Sequence, residues 1–392
     1  MQADISRDGR APWGALLGVN AAIGAFGFSQ GLSYPLFTLL MQQQGMSPAA
    51  IGASAAMMPL GLILSASLVP SLVRLFGMRQ LAVGCALAAA LCFFLIGVFQ
   101  SWVGWFVLRF LLGIIINPLY VLGEVWALSL APPARRGRMM GVFNTVMSAA
   151  YASGPLALAM IGVEGWTPFL VGVGGFCLAS VGLALVSRRL PVLSFDQDES
   201  GTNKGVFAFW TVAPALLTAV CVSAASLQAN VALLPVFGAG YGLSELTLPR
   251  LVTALSVGNI FIQLPLGIAA ERIGPRFMII FCASMTVVAA VLLPSFILTP
   301  AVWPLLMLLG GMSYGVYTMA LIELGNRFHG QMLVAGNAAF AMMWGMGGML
   351  GAPGAGVLMQ AIGPVGLPVV ITVLMSVLIT LAILRKIQRE LR

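Results

Sequence analysis

The sequence predicts an all-α membrane protein, with twelve transmembrane helices arranged as two pseudo-symmetric six-helix bundles. Three observations predict it. The 392 residues are 60% hydrophobic and only 8% charged, with a mean hydropathy of +1.02. Twelve apolar stretches are each about the 20 residues that a spanning helix needs. The two halves of the chain also repeat one another at an offset of about 197 residues.

The composition excludes several classes at once. Soluble domains carry about 25% charged residues, and 8% could not cover a soluble surface of this size. Disorder, a nucleic-acid-binding module and a disulfide scaffold are excluded on the same grounds. Lipid is the solvent. There every backbone N–H and C=O must be bonded within its own segment, so helices follow. A barrel would show about ten-residue strands alternating polar and apolar, which this chain lacks.

In order, the stretches run near 13–40, 49–70, 80–99, 102–130, 139–161, 167–187, 208–237, 247–269, 276–298, 301–325, 333–359 and 364–384. The polar start, MQADISRDGRAPW, lacks the charged-then-apolar pattern of a signal peptide, so the first helix is expected to be retained. Seventeen of the 19 Lys and Arg fall on one side if there are twelve spans. They lie before stretch 1, in the 2–3, 4–5, 6–7, 8–9 and 10–11 connections, and in the tail. The exceptions are Arg109, inside stretch 4, and Arg250. By the positive-inside rule both termini are cytoplasmic and the protein is multi-pass in the cell inner membrane. The net charge of +8 reflects this bias plus attraction to anionic membrane lipids, and no nucleic-acid partner is expected.

The polar run 188–205 divides the halves, giving bundles at 1–187 and 208–392 joined by a cytoplasmic linker at 188–207. Gly45-Met46-Ser47 matches Gly242-Leu243-Ser244. RLFGMR (74–79) matches ERIGPR (271–276). Leu111-Leu112-Gly113 with Tyr120 matches Leu308-Leu309-Gly310 with Tyr317. GRMMGVFN (137–144), with Arg138 and Asn144, matches GQMLVAGN (330–337), with Asn337, at offset 193, and Pro35 matches Pro235 at 200. An even helix number per half makes the repeats parallel, a build in which substrate binds near mid-membrane between them.

Gly267 with Glu271, Arg272, Gly274 and Arg276 resembles the loop signature G-x-x-x-[DE]-R-x-G-x-[RK] of the major facilitator superfamily. In its first-half copy Pro70 replaces the Gly and Arg74 the acid, while Gly77 and Arg79 remain. Arg109-x-x-x-Gly113 resembles the family's helix 4 signature, and Gly154-Pro155 a fragment of its antiporter signature. The resemblance covers the whole chain, and RFLLG…GEVWA…RRGRMMG (109–141) is most similar to the YcaD-like branch. It implies a transporter whose bundles rock about a central cavity, lined mainly by helices 1, 4, 7 and 10. Glu271 and Arg272 are then structural or gating.

Ionisable groups in a bilayer are expensive, about 2.5 kcal/mol or more at a helix centre, so each is a functional candidate. Arg109, Gly113, Asn117, Tyr120 and Glu124 are spaced to share one face of stretch 4. Arg109 and Glu124 lie about 22 Å apart along it and cannot pair directly. Glu124 has two readings: a carboxyl that loads and releases a proton, or a fixed structural partner. Arg109 either braces the bundle or binds an anionic group. Glu323 is the other intramembrane acid. It points about 120° away from Tyr317, lies close to Asn326 and Arg327, and reads as a gate or cap.

Gln30 and Asn230 correspond at offset 200; Asn144, Ser148 and Tyr151 form a stripe, as do Asn337 and Trp344, and Asn259 and Gln263. Buried amides need partners, which either substrate or a facing helix supplies. Together with Tyr34, Tyr120, Tyr314, Tyr317 and Trp344 they describe a mostly neutral, amide- and aromatic-lined pathway, compatible with an aromatic or vitamin-like solute. Gly27-Phe28-Ser29-Gln30-Gly31 fits the nucleophile pattern G-x-S-x-G, but mid-helix and with the single His, His329, in the 10–11 loop, so packing explains it better. Glycines 351, 354 and 356 read as helix packing. The five Cys have no C-x-x-C spacing, so no metal, cofactor or disulfide is expected.

These readings converge on a monomeric, proton-coupled secondary transporter of a small organic solute, not an enzyme. A proton-driven drug or metabolite exporter of the same fold, and a non-transporting membrane receptor or assembly factor, are the alternatives.

Overall fold

The computed structural model describes residues 13–66, 68–130, 136–186, 209–328 and 331–390. The linker at 188–207, the basic residues at 7, 10, 135, 188, 189, 204 and 392, and His329 lie outside them.

Twelve long helices follow the twelve apolar stretches. They are α1 (Trp13–Gln43), α2 (Pro48–Ala66), α4 (Met78–Val98), α5 (Trp102–Leu130), α6 (Arg136–Ile161), α7 (Thr167–Val186), α8 (Pro214–Gly240), α9 (Leu248–Ile273), α10 (Pro275–Phe296), α11 (Val302–Arg327), α12 (Gln331–Ile362) and α13 (Gly366–Glu390). Among the described residues, nine of these are both long and apolar enough to cross a membrane; the other three are α1, α6 and α12.

One short helix, α3 (Val69–Phe76), is a departure from expectation. Hydropathy carries the second stretch to 70, but α2 stops at Ala66 and α3 restarts at Val69 with proline in its first turn. Proline disfavours helical geometry in the residue before it and fits a helix start. Its counterpart 197 residues on is Gly267, and there α9 runs unbroken.

The internal repeat is built into the backbone. Gly77 (φ +75°) and Gly274 (φ +95°) each end one helix and begin the next, with ψ of 149° and 140°. That region is essentially open to glycine alone. Gly45 and Gly242 form a second positive-φ pair at the same offset. The helix crossings repeat too. A Cβ on Gly61 would collide with the Phe110 carbonyl oxygen, and one on Gly258 with that of Met307. Gly154 faces Phe28 O in the same way, and Gly351 faces Ala225 O. From the first member of each pair to the second, both residues shift by 197. Small residues that let backbones approach are how helices associate where lipid competes for every apolar surface.

The chain divides into two compact units. One comprises Met1–Leu36 and Leu60–Asp196, the other Phe37–Pro59 and Gln197–Arg392. In the first, α4 packs on α5 and α7; in the second, α10 packs on α11 and α13, and α8 on α12. Fully buried Phe93, Phe169 and Phe176 form the core of the first unit, with ring centroids 5.9 Å (Phe93–Phe176) and 6.4 Å (Phe93–Phe169) apart.

Candidate functional site

In the first unit the predicted face of α5 grades from buried to open. Arg109 is 0% exposed, Asn117 is 9% exposed, Tyr120 is half-buried and Glu124 is exposed. The Arg109 guanidinium carbon lies 6.0 Å from the Tyr34 ring centroid, at the outer limit of a cation–π contact. Tyr34 tilts against Tyr151 at 6.4 Å. Asn117 Nδ2 is buried with no hydrogen-bond partner among the described residues. Tyr120 donates its hydroxyl to Gln30 Oε1 at 3.2 Å, and its ring meets Phe26 edge-on at 4.9 Å. The α1 residue Gln30 is thus joined to α5, a pairing that helical periodicity on either element could not reveal.

Part of that face serves packing. Gly61 of α2 approaches the backbone of Phe110, Gly113 and Ile114, so one turn of α5 is a helix crossing. Ser29, centre of the G-x-S-x-G match, donates to Gly172 O at 3.0 Å and to Ala25 O at 3.2 Å, and Gly175 leaves room for its hydroxyl. This is a bond between helices, as packing required. Gly154 packs at a crossing with α1, which Gly351 repeats on α8.

In the second unit the aromatic residues of α11 and α12 form one cluster. Tyr317 meets Trp344 at 4.7 Å, Tyr314 meets Trp344 at 5.8 Å, and the two tyrosines stand 5.5 Å apart. Beside it runs an amide network. Gln263 donates from Nε2 to Asn259 Oδ1 (3.1 Å) and to Gly311 O (3.0 Å), while its Oε1 accepts from Thr318 Oγ1 (2.7 Å). Gln263 therefore joins α9 to α11 through its bonds to Gly311 and Thr318. Thr318 is a member of this network that sequence alone does not single out; its hydroxyl gains meaning only once Gln263 faces it. On α8, Asn230 is fully buried and donates to Ser226 O at 2.9 Å; Asn230 Oδ1 and Ser226 Oγ are buried without partners among the described residues.

The loop-signature residues Glu271, Arg272 and Arg276 are exposed at the α9–α10 junction, with Gly267 half-buried and Gly274 in the turn. Arg276 reaches Glu323, 6% exposed, on α11. The two positions are 47 residues apart, and no local pattern connects them. Arg327 lies against its neighbour Phe328 at 5.1 Å, and Asn337 is exposed. The side chains of Arg138 and Asn144 lie outside the described residues, although both positions fall in α6. No group of three or more His, Cys, Asp or Glu is placed to hold a metal ion among the described residues.

A family model described as Major Facilitator Superfamily matches residues 19–331. The MFS-type transporter YfkF of Bacillus subtilis (strain 168) is 24% identical over 371 residues, 89% of this chain and 90% of that one. The MFS-type transporter YcaD of Shigella flexneri serotype 5b is 23% identical over 264 residues, 67% of this chain and 66% of that protein. Among solved structures, the nucleoside transporter NupG superposes with a TM-score of 0.73 over 95% of this chain and 97% of that one, at 13% identity. That level of identity speaks to the fold.

Proposed function

This chain belongs to the Major Facilitator Superfamily, and on that premise we propose that it is a proton-coupled secondary transporter. It carries a small, ring-bearing organic solute across the cell inner membrane by alternating access. It is a multi-pass membrane protein whose relatives are transporters. The inner-membrane placement and cytoplasmic termini rest on the 17 basic residues that fall on one side of twelve spans. The moving parts of the proposal are the two halves, 1–187 and 208–392, about the linker 188–207.

One observation carries the choice of proton carrier. Of the two acids inside the predicted apolar stretches, Glu323 is ion-paired with Arg276, whereas Glu124 has no ion pair among the described residues. Glu124 is exposed on α5, where a proton can reach its carboxylate. Asn117 supports the same face as the pathway, because a buried amide donor without a partner is costly until a solute or water accepts from it.

The solute class rests on the second unit. Tyr314, Tyr317 and Trp344 offer an aromatic wall, and the amides Asn259 and Gln263 lie on α9, which Gln263 bonds to the same helix α11. A planar ring with hydrogen-bonding edges fits that chemistry. A nucleoside is such a solute, and the nucleoside transporter NupG has a similar fold. The test is transport by Glu124→Gln. The variant is expected to lose pH dependence and concentrative uptake while still exchanging solute; retention of both would remove Glu124 from the coupling role.

A further inference from the structure

The short helix α3 has more apolar surface than the first unit covers. At about 100° per residue, Leu68, Leu72, Leu75, Phe76, Val69 and Val73 fall along one arc of its circumference. Ser71 and Arg74 fall along the opposite one. Only one edge of the apolar arc is seated on protein. Val69 and Val73 are buried, whereas Leu75 is 73% exposed and Leu68 and Phe76 are each 50% exposed. The helix packs on α4, which follows it through Gly77. Exposed apolar residues on the long helices face the lipid they span, but α3 is not a span. Its eight residues rise about 12 Å, and it carries an arginine. A helix with an apolar arc and a cationic one lies along the boundary between acyl chains and headgroups.

The arginine has no acid to answer it. Arg74 is exposed, and its Nη2 donates to Ser71 Oγ, one turn earlier, at 3.2 Å. It has no ion pair among the described residues. The second half differs at both places where an acid could stand. Glu271 is 197 residues after Arg74, and Glu323 is 197 residues after Trp126. There Arg276 is neutralised by Glu323, and α9 runs unbroken. In the first half the loss of both acids accompanies the proline that starts α3. By the positive-inside rule this connection is cytoplasmic, and the cytoplasmic leaflet is the one with a negative surface potential.

We propose that α3 is an interfacial helix that binds an anionic phospholipid. Leu68, Leu75 and Phe76 sit among the acyl chains, and Arg74, braced by Ser71, takes the headgroup phosphate. A guanidinium presents forked donors that match phosphate oxygens. A zwitterionic lipid offers the same phosphate but sets an ammonium beside it, so an arginine without an acid favours the anionic headgroup. The site rests on the chain being a membrane protein with this connection in the cytoplasm. It does not depend on the solute or on Glu124.

The test measures which lipid touches α3. Full-length protein carrying Leu75→Trp is reconstituted into phosphatidylcholine bilayers. Brominated phosphatidylcholine or brominated phosphatidylglycerol is then added as a quencher. The signal of the introduced tryptophan is the difference from the parent chain with its eight native ones. Phe76→Trp serves should Leu75→Trp fail to fold. Both lipids are expected to quench, with phosphatidylglycerol preferred roughly fivefold, the effect of one basic residue near an anionic surface. Arg74→Gln should bring the two lipids to parity. Arg74→Glu, the acid of the second-half copy, should reverse their order. Arg250→Gln, at an exposed position at the start of α9, should leave the preference intact. Quenching by neither lipid would place α3 outside the bilayer and overturn the proposal. Equal quenching of the parent by both would overturn it as well. So would a preference that survives Arg74→Gln, which would belong to the net charge of the whole chain rather than to this helix.

Discussion

Arg276 Nε donates to Glu323 Oε1 at 2.5 Å, tying the first turn of α10 to the inner face of α11. The two ends of the contact differ. The arginine side chain is 62% exposed and the carboxylate 8%. Removing the arginine strands a buried charge, whereas neutralising the glutamate removes the charge that needed a partner. Arg276→Gln is therefore expected to lower unfolding stability by about 1–3 kcal/mol. Glu323→Gln should cost less. Thermal unfolding of the two single variants and the double variant in detergent decides it; equal losses would contradict this reading of the pair.

The repeated helix crossings predict a position-specific glycine pattern. Gly258→Ala drives a methyl into Met307 O, and Gly61→Ala drives one into Phe110 O. Each should destabilise by about 1–3 kcal/mol, the usual cost of overpacking. Gly84→Ala on α4 meets nothing within 4 Å and should be neutral or slightly stabilising. Comparing melting temperatures of the three variants checks this.

Tyr120→Phe keeps the ring against Phe26 and removes the hydroxyl that Gln30 accepts. A loss of about 1 kcal/mol in stability is expected. Gln30→Leu together with Tyr120→Phe should cost less than the two separate losses summed, since one interaction is being deleted twice. A purely additive cycle would show that the pair is not coupled.

Trp344 touches both Tyr314 and Tyr317, so it anchors the aromatic wall. Trp344→Leu should weaken binding of a ring-bearing solute roughly tenfold, in line with stacking worth about 1–3 kcal/mol per ring. Trp303→Leu, outside that cluster, should leave it unchanged. Thermal-shift titration with the transported solute measures both.

Much of the fold is readable from sequence because hydrocarbon simplifies the code. A span must be about 20 apolar residues, and so α5 occupies Trp102–Leu130, as its apolar stretch predicts. The repeat is readable for a similar reason. Glycines at positive φ and at backbone crossings have no substitute, so Gly77 and Gly274, or Gly61 and Gly258, persist at one offset where side chains around them have diverged. The break between α2 and α3 escapes notice because hydropathy is blind to the proline at 70. The partners of Glu323, Gln30 and Gln263 are out of reach for another reason. Helical periodicity gives the face on which a residue lies, but the register of one helix against another is set by packing over 47 to 90 residues of separation.

Transport itself is tested most directly by reconstitution. Purified protein in proteoliposomes, under an imposed pH gradient, is given a panel of radiolabelled ring-bearing solutes that includes nucleosides. At least one is expected to accumulate above equilibrium. Collapsing the gradient should abolish the accumulation, and Glu124→Gln should only equilibrate the solute. Movement of no solute in the panel, or gradient-driven accumulation undiminished in Glu124→Gln, would contradict proton-coupled transport through Glu124.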